Sequence, residues 1–140
     1  MRDRFQAQLR ATPGATILVV DDDEFVRELL YLHLSSAGYV VFVAEDAIVA
    51  GHFLLERRVD LLVTDIEMPF MDGLDLVQAM RADASVAPMP VIFVSSQWEQ
   101  EGRARELGAV AFLRKPVLAD QLLAAVAKHL RAEKPAEVKG

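Results

Sequence analysis

Short apolar runs alternate five times with longer stretches of helical periodicity, and nothing else in this 140-residue chain restricts its fold as tightly. The runs are Thr16–Val20, Tyr39–Ala44, Leu61–Thr64, Val91–Val94 and Val110–Leu113. Four of them are continuous in Val, Ile, Leu and Phe, without polar alternation, as expected of strands covered on both faces. Helical stretches lie between and after them, near 24–36, 47–57, 73–82, 98–106 and 118–131. In the last, Leu118, Leu122, Val126 and Leu130 recur at every fourth position with Leu123 beside them, and Lys128 and Arg131 charge the final turn. Asp46 and Asp120 suit the N-caps of the second and fifth helices, while Gly38 and Gly108 fall where the first and fourth should stop. Strands and helices in this rhythm predict an α/β fold: a single (βα)5 unit, doubly wound, with a five-stranded parallel sheet.

A hydrophobic content of 53% lets a chain of this length build one core, and two would not fit comfortably. Residues 1–15 and 132–140 are polar and aperiodic, and are expected to be flexible tails around one domain at 16–131. Phe5 and Leu9 could share one side of a short N-terminal helix, but fraying is the expectation. No apolar run approaches the roughly 20 residues of a membrane helix, and the first sixteen residues lack the hydrophobic stretch of a secretory signal. A cytoplasmic protein is expected. The absence of cysteine agrees, and it excludes disulfides, thiolate zinc sites and cysteine nucleophiles. A formal charge of −6 with no basic stripe argues against nucleic acid as a partner. A divalent cation or a basic protein surface suits it better.

The first run leads straight into acid, as ILVVDDDEF at 17–25. Two carboxylates about 4 Å apart repel by roughly 4 kcal/mol at an effective dielectric near 20, so crowded acids at a strand end need solvent or a cation. In open α/β sheets ligands bind beyond the carboxyl ends of the strands. There the first strand delivers Asp21 and Asp22, the third Asp65, the fourth Ser95 and Ser96, and the fifth Lys115 followed by Pro116. If the first and third strands are neighbours, as right-handed crossovers allow, three carboxylates converge. With no cysteine and no local histidine they make a hard-oxygen site that matches Mg2+. Read singly, Asp21 and Asp22 could be a solvated helix N-terminus, and Lys115 an ordinary surface lysine. Asp23 and Glu24 fit that plainer reading as first-turn acids. Asp65 could be a turn residue before Pro69 and Gly73, but a solvated turn does not explain LLVTD emerging from a buried run.

The segments VVDDDEF, DIEMPFMDG, VIFVSS and FLRKP, in that order, resemble the receiver domain of two-component response regulators. The resemblance covers roughly 16–131 and implies a flavodoxin-like, CheY-like sheet of strand order 2-1-3-4-5. It further implies that Asp65 is the phosphoacceptor, served by a sensor histidine kinase or a histidine phosphotransfer protein. Asp21, Asp22, Asp65 and the backbone carbonyl of Glu67 would hold Mg2+, with Mn2+ a possible substitute. Ser95, rather than Ser96, and Lys115 would bind the phosphoryl group. Phe112, three positions before the lysine, would be the switch aromatic, and without a phenolic oxygen it would act by packing alone. The family also favours a cis Lys115–Pro116 bond.

The stretch from Ser95 to Lys115 is slightly shorter than the family usually has, which puts in doubt a homodimer through the fourth helix, fifth strand and fifth helix. Glu67 and Gln97 stand at positions that vary among receivers and influence phosphoryl lifetime. His33, His52 and His129 fall on predicted helices and read as surface or partly packed groups. Met68, Met71 and Met80 read as packing, and Trp98 as either core or partner surface. Only AEKPAEVKG follows the fifth helix, so a stand-alone receiver is expected, a switch acting on an unknown downstream protein rather than an enzyme. Three other functions compete with this one. A phosphatase of the haloacid dehalogenase type would use the same nucleophile with Glu67 as general acid, but Met68–Pro69 replaces its usual small hydroxyl-bearing continuation. A flavin module would place phosphate against the repelling acids at 21–24. A degenerate receiver fits poorly with the intact acid, hydroxyl and lysine set.

Overall fold

The computed structural model describes residues 14–133, and the N-terminal segment carrying Phe5 and Leu9, expected to fray, lies outside them. Five strands form one parallel sheet: β1 (Thr16–Val20), β2 (Val40–Ala44), β3 (Leu61–Thr64), β4 (Val91–Ser95) and β5 (Ala111–Arg114). Their order is β2-β1-β3-β4-β5, as the resemblance implied. The helices are α1 (Glu24–Ser36), α2 (Ala47–Glu56), α3 (Gly73–Ala82), α4 (Glu101–Glu106) and α5 (Ala119–Glu133). Successive side chains of a strand point to opposite faces, so each central strand feeds two cores. Ile17, Val19, Leu61 and Ile92 pack with Leu30 and Leu34 of α1 and Leu122, Val126 and Leu130 of α5. Leu18, Leu62 and Phe93 pack on the other face with Leu54 of α2 and Leu74 and Val77 of α3.

Only β1, β3 and β4 are covered on both sides, one fewer than the four continuous runs suggested. The outer strands β2 and β5 are half-exposed, because each has a single neighbour in the sheet. Strand β2 starts at Val40, and β5 is shifted one residue along from the predicted run.

Caps explain most helix boundaries. Asp23 caps α1 by accepting from the Val26 N–H at 3.1 Å, so it is the N-cap and not a first-turn acid. Asp46 caps α2 through Val49 as predicted, and Asp72 caps α3 through Asp75. Gly38 and Gly108 end α1 and α4 with φ of 103° and 93°, a left-handed conformation that glycine adopts without a Cβ penalty. The fifth helix departs from expectation. It starts at Ala119, which leaves Leu118 exposed ahead of it and places Asp120 in the first turn instead of at the cap. The Gln121 side chain accepts from the Leu118 N–H at 3.5 Å in place of such a cap. The helix runs to Glu133, two residues into the expected tail. The stretch 98–106, expected as one helix, divides into a 3-10 turn, Trp98–Gln100, and the short α4. Trp98 is exposed, with the Arg114 guanidinium 4.9 Å from its ring, so it belongs to the surface. Met68 and Met80 are buried and Met71 packs against the core. No helix among the described residues is long and apolar enough to cross a membrane.

Candidate functional site

Val20 pairs with Thr64 across the β1–β3 ladder, so the next residues, Asp21 and Asp65, leave the sheet side by side. The Asp65 N–H donates to the Val20 carbonyl at 2.9 Å and holds them there. One carboxylate oxygen from each of Asp21, Asp22 and Asp65 lies within 4.8 Å of the others. Asp21 and Asp65 are buried and Asp22 is exposed, so the cluster forms a pocket with one open side.

From β5, two strands away, Lys115 reaches into the same pocket. Its ammonium lies 2.9 Å from Asp21 Oδ2 and 3.1 Å from Asp65 Oδ2. The Lys115 N–H donates to the Ser95 carbonyl at 3.1 Å, which ties the ends of β4 and β5 together. The Lys115–Pro116 peptide bond is cis. Ser95 is buried and its hydroxyl accepts from the Gln97 N–H at 2.9 Å, while Ser96 is exposed. Phe112 is buried beside Phe93, its partner in the β4–β5 register, so the aromatic ring already points inward. Glu67 is exposed on the loop after β3. The three histidines lie on helices: His33 on α1, His52 on α2 and His129 on α5.

Asp21 Oδ1 accepts from the Asp23 N–H at 2.9 Å, but Asp21 Oδ2 is buried and has no well-directed hydrogen bond. Its compensation is the ion pair with Lys115. Asp65 Oδ1 accepts from the Ile66 N–H at 2.7 Å. Burial pushes the Asp65 carboxyl above the ordinary value of 3.8, against the opposing pull of Lys115, and the Asp21 charge adds to the rise. Burial alone would lower the Lys115 ammonium. The close ion pair with Asp21 and the field of both carboxylates outweigh that, and hold it above 10.5. A buried carboxylate oxygen lacking a directed donor, next to two further acids, fits a divalent cation with oxygen ligands.

Three contributors were not legible as such in the sequence. Gly73 lies where a Cβ would run into the Asp65 carbonyl oxygen, and that Cβ would also sit 3.1 Å from Ile66 Cα. The Gly73 N–H donates to the Ile66 carbonyl at 2.7 Å, so the start of α3 is drawn tightly against the reactive loop. The Asp-Gly pair before a helical pattern was the available signal, and it indicated only a turn. Thr64 donates its buried hydroxyl to the Asp65 carbonyl at 2.9 Å, and Arg27 donates to the Asp21 carbonyl at 2.8 Å. Nothing in the local pattern marked either. In the same loop Phe70 is exposed and adopts φ of 73°, an uncommon conformation for an aromatic residue.

A doubly wound sheet of order 2-1-3-4-5, with three aspartates and a lysine at its carboxyl edge, defines a class of phosphoacceptor signalling domains. The profile of the response regulator receiver domain matches residues 17–127. The chain belongs to the response regulator receiver family. It is 38% identical over 139 residues to a protein-glutamate methylesterase/protein-glutamine glutaminase of Bordetella parapertussis, covering 86% of this chain and 39% of that protein. It is 37% identical over 119 residues to the response regulator MprA of Mycobacterium avium, covering 85% of this chain and 52% of that one. A response regulator receiver protein from Pseudomonas putida superimposes with a TM-score of 0.76 at 36% identity, covering 84% of this chain and 98% of that one. The chain thus spans between 39% and 52% of the length of these two curated relatives.

Proposed function

We propose that Asp65 accepts a phosphoryl group from a histidine kinase or histidine phosphotransfer protein, and that the resulting mixed anhydride switches the contacts this domain makes with a downstream protein. The observation that carries this reading is the convergence of Asp21, Asp22, Asp65 and Lys115 on one pocket. In the transfer an Asp65 carboxylate oxygen forms a bond to phosphorus as the P–N bond of a phosphohistidine breaks, and the imidazole leaves with its electron pair and takes up a proton. The phosphoryl group brings two or more negative charges towards a carboxylate, so neutralisation dominates the barrier. Lys115 supplies one positive charge from the β5 side. Asp21, Asp22, Asp65 and the Glu67 carbonyl would hold Mg2+ or Mn2+, which when bound neutralises phosphoryl oxygens on the other side. Ser95 would turn its hydroxyl from the Gln97 amide contact to a phosphoryl oxygen. A contact available only after phosphorylation favours one of two loop arrangements, with Phe112 repacking in response. In this reading the domain is not a turnover enzyme: it catalyses only its own phosphorylation and dephosphorylation. The two curated relatives are longer than the matched region, and the output proposed for this domain is protein contact.

The test is incubation with acetyl phosphate and Mg2+ followed by intact-mass measurement. A gain of about 80 Da, one phosphoryl group, is expected in the wild type and not in Asp65→Asn. A gain that survives in Asp65→Asn would assign the acceptor elsewhere.

The raised pKa of Asp65 gives a pH prediction of definite sign. The nucleophile must be ionised, so the labelling rate should fall on the acid side with a midpoint above 3.8, higher than for an ordinary aspartate. A midpoint below 3.8, read from a rate–pH profile with phosphoramidate, contradicts the burial argument. The same shift acts on stability. Between 3.8 and the raised value the folded chain binds more protons at this site than the unfolded chain, so stability falls as pH rises through that window. Asp65→Asn should therefore melt higher than wild type near neutral pH, by the few degrees that about 1 kcal/mol produces.

A further inference from the structure

Asp21, Asp22, Asp23, Glu24 and Glu28 all lie within six positions of Arg27 in the chain, yet among the described residues Arg27 forms an ion pair with none of them. Its guanidinium donates instead to a neutral acceptor, the Asp21 carbonyl oxygen, through Nη1 at 2.8 Å. That oxygen belongs to the peptide unit joining Asp21 to Asp22, the two aspartates that follow β1. We propose that Arg27 is a positioning residue for the cation site: by fixing this peptide plane it sets the direction of the Asp22 carboxylate relative to that of Asp21, and with it the affinity for a divalent cation. The inference rests on the reading of Asp21 and Asp22 as metal ligands.

The helix supplies the aim. The Arg27 N–H donates to the carbonyl of the N-cap Asp23 at 2.9 Å, so Arg27 stands in the first turns of α1. Side chains on a helix lean towards its N-terminus, and a long one from this position reaches back over the loop the chain has just left. Arg27 precedes the buried Leu30 by three positions and the buried Leu34 by seven, so it shares the side of α1 turned to the sheet and is itself half-buried. A guanidinium stays charged at any ordinary pH and presents its N–H donors in a rigid planar fork, which suits it to hold an acceptor in a fixed direction.

Asp21 is held from several elements at once. Its N–H donates to the Ala44 carbonyl at the end of β2 at 3.2 Å, Oδ1 accepts from the Asp23 N–H at 2.9 Å, and Oδ2 faces the Lys115 ammonium at 2.9 Å. Asp22 has no such support. It is exposed, and among the described residues nothing donates to its carboxylate. Its direction therefore depends on the backbone on either side. The peptide unit after it is held by Asp21 Oδ1 and the one before it by Arg27.

A guanidinium beside an acidic pocket also acts through its charge, and the two effects oppose each other. Removing a positive charge strengthens the binding of a divalent cation, whereas releasing the peptide between two of its ligands weakens it. The sign of the change on substitution separates them.

The experiment is Mn2+ binding, read from the free-ion electron paramagnetic resonance signal, without phosphodonor and well below the melting temperature. Arg27→Met should weaken binding by about 10-fold, the low end for losing a group that orients a metal ligand. Arg27→Lys, which keeps the charge and a donor on a shorter reach, should fall between Arg27→Met and wild type. In the metal-free protein the 13C resonance of the Asp21 carbonyl should move upfield in Arg27→Met as its hydrogen bond is lost. Leu34→Val, a core change in the same helix, should lower the melting temperature and leave Mn2+ affinity unchanged. Unchanged or tighter binding by Arg27→Met overturns the proposal, the latter in favour of charge alone. Equal weakening in Leu34→Val also overturns it, since loosening of α1 would then suffice. A wild type that binds no Mn2+ overturns the metal site together with this inference, whereas a wild type that binds it no better than Arg27→Met overturns this inference alone.

Discussion

Replacing Gly73 with alanine should both destabilise the fold by about 3 kcal/mol and remove most phosphorylation of Asp65. The added Cβ would occupy the space of the Asp65 carbonyl oxygen, a backbone atom already held by the Thr64 hydroxyl. It would also press on Ile66 Cα at 3.1 Å. No flexible side chain is available to move aside, so either α3 shifts outward or the loop after β3 gives way. Overpacking of this kind costs about 1–3 kcal/mol when the surroundings relax and more when they are backbone. For a domain of this size that lowers the melting temperature by roughly 10 °C. A displaced Asp65 also loses register with Asp21 and Lys115, and misplacement by about 1 Å can cost on the order of 100-fold in rate. Gly51→Ala is the matched control: apart from its chain neighbours and the local backbone of α2, no atom lies within 4 Å of its Cβ position, so that change should be neutral or stabilising by up to about 1 kcal/mol. Thermal melts and acetyl phosphate labelling of the two variants check both claims. A Gly73→Ala protein that melts and labels like wild type would mean that the close approach is not maintained in solution.

The second large effect is expected at Lys115, and it depends on the metal. Without divalent cations, Lys115→Met should cost about 3 kcal/mol, because it leaves Asp21 Oδ2 buried with no compensating charge and Asp65 facing it. The Lys115 ammonium has a raised pKa, so its contribution to stability is fully present below 10.5 and is lost only as pH climbs through the raised folded value. The deficit should therefore be uniform across the neutral range. Saturating Mg2+ should return much of it by binding the folded state, and the gain should exceed that of wild type, where the lysine already neutralises the acids. Urea midpoints for both proteins, with Mg2+ and with EDTA, give the four numbers required. Equal midpoints in EDTA would show that the ion pair contributes nothing, as many exposed pairs do. Labelling should fall by about 100-fold in the variant even with Mg2+, since the charge on the β5 side is gone.

The fold was legible wherever a local pattern has one structural meaning. Leu61–Thr64 is apolar at nearly every position because both of its faces are covered, and the run was found at its observed limits. Asp46, Gly38 and Gly108 act through backbone groups within a few residues, so their cap and stop signals were readable. The coverage of Val40–Ala44 is not readable from its residues, for the opposite reason. A valine-rich run looks the same at the edge of a sheet as at its centre, and only the strand order leaves Val40 and Val43 open. Leu118 extended the spacing of Leu122 and Val126, yet the chain has not entered the helix at that point, so the side chain stays in solvent.

Of the site, the sequence determined the chemistry: which side chains end the strands, that they are acidic, hydroxylic and cationic, and through the ordered motifs which family they belong to. Residue type and position relative to a strand are properties of the local chain, so they could be read directly. Tertiary structure alone decided that Lys115 sits 3.1 Å from a carboxylate fifty positions earlier, that Asp21 Oδ2 is left without a directed donor, and that residue 73 must have no side chain. Each of these depends on which elements the sheet order places together and how closely their backbones approach, and such distances have no counterpart in any local stretch of residues.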